Sequence, residues 1–141
     1  MSGSWVYLDS SAFVKLCWAE VESCGLRKYL DANAVAIVSS RLLEVEAMRT
    51  AMRRNPADMA AVRLLLRRVQ LLDITPDQTA TAAQLSPPEL RSLDAIHVAA
   101  ALRLSTELAA DNPIGSLIVA AYDERLADAA RAHGIHVVAP S

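Results

Sequence analysis

Short apolar runs that end on an acid constrain this chain more than any other feature. WVYL at 5–8 is β-branched and aromatic and is closed by Asp9, while LIVAAY at 117–122 is closed by Asp123. AVAIVSS at 34–40, LLDIT at 71–75 and IHVV at 135–138 read as further short strands. Helical stretches separate them, clearest where apolar residues recur at three- and four-residue spacing, the mark of a helix that buries one face. Strand and helix therefore alternate from end to end. That pattern predicts an α/β three-layer sandwich, with a central and mostly parallel sheet flanked by helices.

The helical stretches have readable ends. Ser10 or Ser11 can cap a first helix through Phe13, Val14 and Leu16, and Val21 to Leu30 carries a second pattern. The serines that close AVAIVSS can cap RLLEVEAMRTAMRR, which Asn55-Pro56 breaks. From Asp58 the residues Met59, Val62, Leu65, Leu66, Val69 and Leu72 form one stripe of an amphipathic helix. Ser86-Pro87-Pro88 reads as a loop before a long helix containing SLDAIHVAAALRL, and a second loop carries Asn112-Pro113 and Gly115. A last helix, ERLADAARAH, is closed by Gly134.

With 141 residues, of which 53% are hydrophobic, the chain suits a single domain over 1–141. No apolar run approaches the roughly 20 residues that cross a bilayer. MSGSWVYLDSS lacks a basic region followed by an apolar one, so no secretory signal is read and the expected location is cytoplasmic. Cys17 and Cys24 form no CxxC pair and have no neighbouring His, and read as reduced packing residues. Glycines stand only at 3, 25, 115 and 134, so neither GxGxxG nor a P-loop can be written. Net charge is −2, yet Arg49, Arg53, Arg54, Arg63, Arg67 and Arg68 stand against the single acid Asp58 and make a local positive lobe.

In open parallel sheets, functional groups gather at the carboxyl ends of strands, where the strand order switches. Asp9 and Asp123 follow strands, Glu44 and Glu46 lie in the first turns of a helix that follows a strand, and Asp94 opens the long helix. Any one first-turn acid is ordinarily a solvated residue that favours the helix dipole by about 0.3–1 kcal/mol. Several carboxylates at one rim would repel by several kcal/mol at an effective dielectric of about 20, unless a cation offsets them. Ligation by oxygen alone suits Mg²⁺ or Mn²⁺ better than zinc, and the chemistry that matches is hydrolysis of a phosphodiester.

Four runs, YLDSSAFVKL, SSRLLEVEAMR, LRSLDAIHVAAAL and AAYDERLADAARAHGIHVVAP, together resemble the signature segments of PIN-domain ribonucleases, especially the VapC toxins of type II toxin–antitoxin modules. The resemblance runs from Val6 to Pro140 in the family's order. It implies a PIN-like fold and a metal-dependent endoribonuclease acting on RNA, with Mg²⁺ or Mn²⁺ as cofactor. It also implies a homodimer and an antitoxin protein that occludes the active site. Residue by residue, Asp9 matches the family's first acid. Ser40, Glu46 and Arg49 match its Ser, acid and Arg spacing, with Glu44 a second candidate two positions early. Asp94 matches the third acid and Asp123 the fourth. One departure stands beside Asp123, because the family often has Thr or Ser where this chain has Ala121.

Around these acids, Ser10 can donate to a carboxylate or phosphate, or cap a helix. His97, three residues after Asp94, reads as packed or hydrogen-bonded, and His133 and His136 as surface residues. Arg49, Arg53 and Arg54 are candidates for nucleic-acid contact. The lobe as a whole can equally be a solvated face or hold acidic groups of a protein. With 4% aromatic residues, base stacking is not the main grip. Two other readings stand beside the ribonuclease. A haloacid-dehalogenase-type phosphatase also places an Asp after its first strand, but wants a second Asp where Ser11 stands. A non-catalytic α/β partner module could use the acids merely to bind a cation.

Overall fold

The computed structural model describes residues 3–111 and 116–141. Among these, β1 (Ser4–Leu8), β2 (Ala34–Ser40), β3 (Gln70–Leu72), β4 (Ser116–Ala120) and β5 (His136–Val138) form one sheet in the order β3-β2-β1-β4-β5. Every pairing is parallel, with Val6 opposite Ile37 on one side and Ile118 on the other. A parallel strand in mid-sheet is covered on both faces, which is why WVYL is a continuous apolar run rather than an alternating one.

The pleat of β1 divides the core in two. Val6 and Leu8 face a layer built from α1 (Ser10–Cys17), α2 (Ser23–Asn33), α3 (Leu42–Arg54) and α4 (Met59–Leu66), where Phe13, Leu26, Leu43 and Val62 are buried with them. Tyr7 faces the opposite layer, α6 (Ser92–Asp111) and α7 (Glu124–Ala132), among Val98, Ala101, Leu104, Val119 and Leu126. Each fully buried Val, Leu or Phe side chain contributes about 1.5–3 kcal/mol. The result is the predicted sandwich, and β1 sits where the strand order turns, with β2 and β3 to one side and β4 and β5 to the other. The crevice at such a switch point lies outside the carboxyl ends of the strands, here those of β1 and β4.

Several local expectations change. Asp9, not Ser10 or Ser11, caps α1, with its side chain accepting from the Ala12 N–H. The stripe from Met59 to Leu72 is not one helix. α4 stops at Leu66, and the chain turns through Arg67 and Arg68 so that Gln70 can pair with Val38 of β2. Sheet pairing thus overrides helical periodicity. LLDIT contributes only Leu71 and Leu72 to a strand, because Thr75 and Pro76 start α5 (Pro76–Ala83), with Thr75 Oγ1 accepting from the Gln78 N–H. Cys24 is exposed rather than packed, and Cys17 is partly buried; both are free thiols. Gly134 closes α7 with φ of 84°, a left-handed conformation that glycine adopts without Cβ strain. The loop read at Asn112-Pro113 and Gly115 lies outside the described residues. No described helix is long and apolar enough to cross a membrane.

Candidate active site

Asp9 is the residue that β1 delivers to the crevice, and it is 2% exposed. Its Oδ1 caps α1 through the Ala12 N–H at 2.9 Å, and the Ser11 hydroxyl donates to both carboxyl oxygens at 2.7 and 2.8 Å. Burial pushes the Asp9 carboxyl up to about 6, against the pull of those hydrogen bonds. A rise from 3.8 to about 6 costs about 3 kcal/mol of stability once the group is ionised. A helix cap returns about 1 kcal/mol, and a serine or threonine would supply it uncharged. Capping alone therefore does not account for a carboxylate at this position.

Ser11 fastens the two strand ends together. While donating to Asp9, its Oγ accepts from the N–H groups of Tyr122 and Asp123 at 2.9 and 3.2 Å, immediately beyond β4. Asp123 in turn caps α7, its Oδ1 accepting from Arg125 and Leu126 at 2.9 and 3.3 Å. Asp94, in the first turn of α6, is half-buried, and its carboxyl is raised first by that burial and then by the charge of Asp123. The field of Asp123 also reaches Asp9, and that of Glu46 reaches Asp94. Asp9, Glu46, Asp94 and Asp123 thus share one electrostatic neighbourhood.

Glu46 reaches this neighbourhood from α3. Its Oε1 lies 2.6 Å from His97 Nε2, and its side chain is 16% exposed. His97 is buried, and its other nitrogen lies 2.7 Å from the Tyr7 hydroxyl. With both ring nitrogens engaged, His97 is not a metal ligand. The donors left at the crevice are carboxylate oxygens, a set that fits Mg²⁺ or Mn²⁺. Among the described residues, no three His, Cys, Asp or Glu side chains close into a ready-made cage. Glu44, by contrast, is exposed on α3.

A groove of about 630 Å³ opens beside Glu46, lined among others by Ser10, Ser11, Lys15, Arg49, Arg53 and Arg54. The positive lobe therefore divides. Arg49, Arg53 and Arg54 border the groove, whereas Arg63, Arg67 and Arg68 lie exposed elsewhere. Lys15 is held by Glu20 and Glu22 at 2.9 and 3.0 Å, and Arg54 reaches Glu20 at 3.4 Å. Arg49 and Arg53 make no ion pair among the described residues.

The positions of the acids in the sequence do not reveal the side chains that hold them. Ser11 was visible only as a possible cap, and its role depends on a contact 111 residues away. In the sequence Tyr7 reads only as part of the β-branched and aromatic run WVYL. A phenol in the middle of a buried strand is the signal that could have identified it, since a buried hydroxyl needs a partner. The phosphatase reading finds no second acid at position 11, where the Ser11 hydroxyl is bound between Asp9 and the end of β4.

Residues 6–132 match the PIN domain family. Ribonuclease VapC46 of Mycobacterium tuberculosis (strain ATCC 25618 / H37Rv) is 42% identical over 136 residues, covering 96% of this chain and 98% of that protein. Ribonuclease VapC35 of Mycobacterium tuberculosis (strain CDC 1551 / Oshkosh) is 39% identical over 136 residues, with 96% of each chain covered. Among solved structures, Mycobacterium tuberculosis VapC20, titled a sarcin-ricin loop cleaving toxin, superposes with a TM-score of 0.72 at 15% identity, over 96% of this chain and 99% of that one. VapBC2 of Rickettsia felis, bound to promoter DNA, gives 0.67 at 11% identity, over 97% and 99%. At those identities the structural likeness speaks for the fold, and the sequence relatives carry the assignment. The chain belongs to the PIN-domain family and, within it, to the VapC ribonucleases.

Proposed function

We propose that this chain is the toxin of a type II toxin–antitoxin module, an endoribonuclease that cleaves cellular RNA in the cytoplasm with Mg²⁺ or Mn²⁺ held by Asp9, Glu46, Asp94 and Asp123. The observation that carries the reading is the Asp9 carboxylate, kept at the switch-point crevice although its burial costs stability. When bound, the cation would polarise a phosphoryl oxygen and lower the pKa of a water. Ser11 keeps Asp9 and the end of β4 in a fixed relation. Arg49 and Arg53 are free to meet phosphates along the groove, contacts that orient a nucleic acid without reading its sequence.

The partner is a cognate antitoxin. VapBC2 of Rickettsia felis, solved on promoter DNA, and a toxin–antitoxin complex from Klebsiella pneumoniae share this fold. In the groove, Val45 and Leu93 are exposed beside the arginines, so a segment with apolar and acidic side chains could lie across it and close the site. Family membership also supports a homodimer. The test is expression of the chain with and without the product of the neighbouring gene. Growth arrest that this product relieves and Asp9→Ala abolishes is the expected result. Arrest that persists undiminished in Asp9→Ala would refute the reading.

A further inference from the structure

A hydrogen-bonded thread runs behind the carboxylates. The Ser40 N–H at the end of β2 donates to the Tyr7 hydroxyl oxygen at 3.2 Å, that hydroxyl lies 2.7 Å from His97 Nδ1, and His97 Nε2 lies 2.6 Å from Glu46 Oε1. Tyr7 and His97 are each 1% exposed, and their rings meet edge to face at 81°. The thread joins the elements that carry three of the acids. Tyr7 stands two residues before Asp9, His97 stands one turn after Asp94, and Glu46 is on α3.

The donors and acceptors can be assigned. The Tyr7 hydroxyl has one hydrogen to give and accepts from the Ser40 N–H. A carboxylate oxygen only accepts, so the 2.6 Å contact with Glu46 puts a hydrogen on Nε2, and Nδ1 of the neutral ring accepts from the Tyr7 O–H. Oε2 accepts no hydrogen bond among the described residues. This inverts the common arrangement in which a carboxylate orients a metal-binding histidine. Here the histidine orients the carboxylate.

We propose that Tyr7 and His97 are positioning residues for Glu46, in which Tyr7 fixes the Nε2–H tautomer of His97 and His97 holds one oxygen of Glu46 so that the other faces the crevice as a metal ligand. The inference rests on the assignment of Glu46 to the metal site. Apolar packing alone does not explain the thread, since a phenylalanine and a leucine would fill the same layer without two polar groups to satisfy.

The test is Mn²⁺ affinity, read by electron paramagnetic resonance on the full chain, together with the ¹⁵N shifts of the His97 ring. Glu46→Gln checks the underlying assignment. His97→Leu removes the donor, His97→Gln puts an amide N–H back near the same place, and Tyr7→Phe removes only a hydroxyl. The expected shifts show Nε2 protonated and Nδ1 bare. His97→Leu weakens Mn²⁺ binding by about 10- to 100-fold. His97→Gln recovers most of that loss, and Tyr7→Phe weakens binding in the parent but adds little to His97→Leu. If Glu46→Gln binds Mn²⁺ as the parent does, the assignment of Glu46 fails. If Glu46→Gln weakens binding while Tyr7→Phe and His97→Leu only lower the melting temperature, or if Nδ1 carries the proton, the positioning role is overturned. Should His97→Leu not fold, Tyr7→Phe and the tautomer decide the outcome by themselves.

Discussion

At Asp9 the ordinary carboxyl value of 3.8 rises to about 6 because the side chain is taken out of water. The folded value lies above the unfolded one. The associated stability is therefore fully present below 3.8 and lost as the pH rises through about 6. Urea unfolding of the metal-free protein at pH 4 and pH 7.5 should show the parent losing about 2 kcal/mol relative to Asp9→Asn over that interval. A constant gap between the two would mean that the carboxylate is not strained by burial. Ser11→Ala should cost about 1–3 kcal/mol in the same assay, because it strands the N–H groups of Tyr122 and Asp123. At this scale Asp9, Asp94 and Asp123 were legible, since strand ends and helix starts fix where an acid emerges. Ser11 was not, because a hydroxyl beside an acid looks like a local cap until the end of β4 is brought to it. His97 was legible as a packed or hydrogen-bonded residue but not by its partners, which come from β1 and α3.

Helices α3 and α7 could be read from caps and breakers, and the structure places them within a residue or two of those signals. α5 could not, since PDQTATAA offers few apolar residues and only the Thr75-Pro76 start announces it. α4 was read too long because β3 claims Gln70 to Leu72 from the same stripe. The alanines of α6 have an element-scale role. Val98, Ala100 and Ala101 are buried against the sheet, so the helix that carries Asp94 and His97 approaches closely. Ala101→Leu should overpack that contact, lowering stability by about 1–3 kcal/mol in urea unfolding. The cysteines differ by element as well. Cys24 is exposed on α2, whereas burial pushes the Cys17 thiol on α1 up to about 12. A thiol reagent at pH 8 should therefore label Cys24 rapidly and Cys17 only on unfolding.

On the scale of the molecule, one face gathers carboxylates at the switch point and positive side chains along the adjoining groove. The alternation of strands and helices made the sandwich legible, and the carboxyl-end rule made the rim legible. The groove was not, because half of the arginine lobe borders it and half does not, and only the path from α3 through α4 to β3 separates the two. Arg49→Glu with Arg53→Glu should weaken RNA binding uniformly across sequences and flatten its dependence on salt, as read by filter binding between low and moderate ionic strength. The central claim is that carboxylates at this rim hold a metal that cuts RNA. It is tested most directly by incubating the pure protein, Asp9→Asn and Asp94→Asn with RNA and Mn²⁺. Cleavage by the parent that chelation stops and either substitution abolishes is the predicted result; cleavage by both variants at the parent's rate would contradict it.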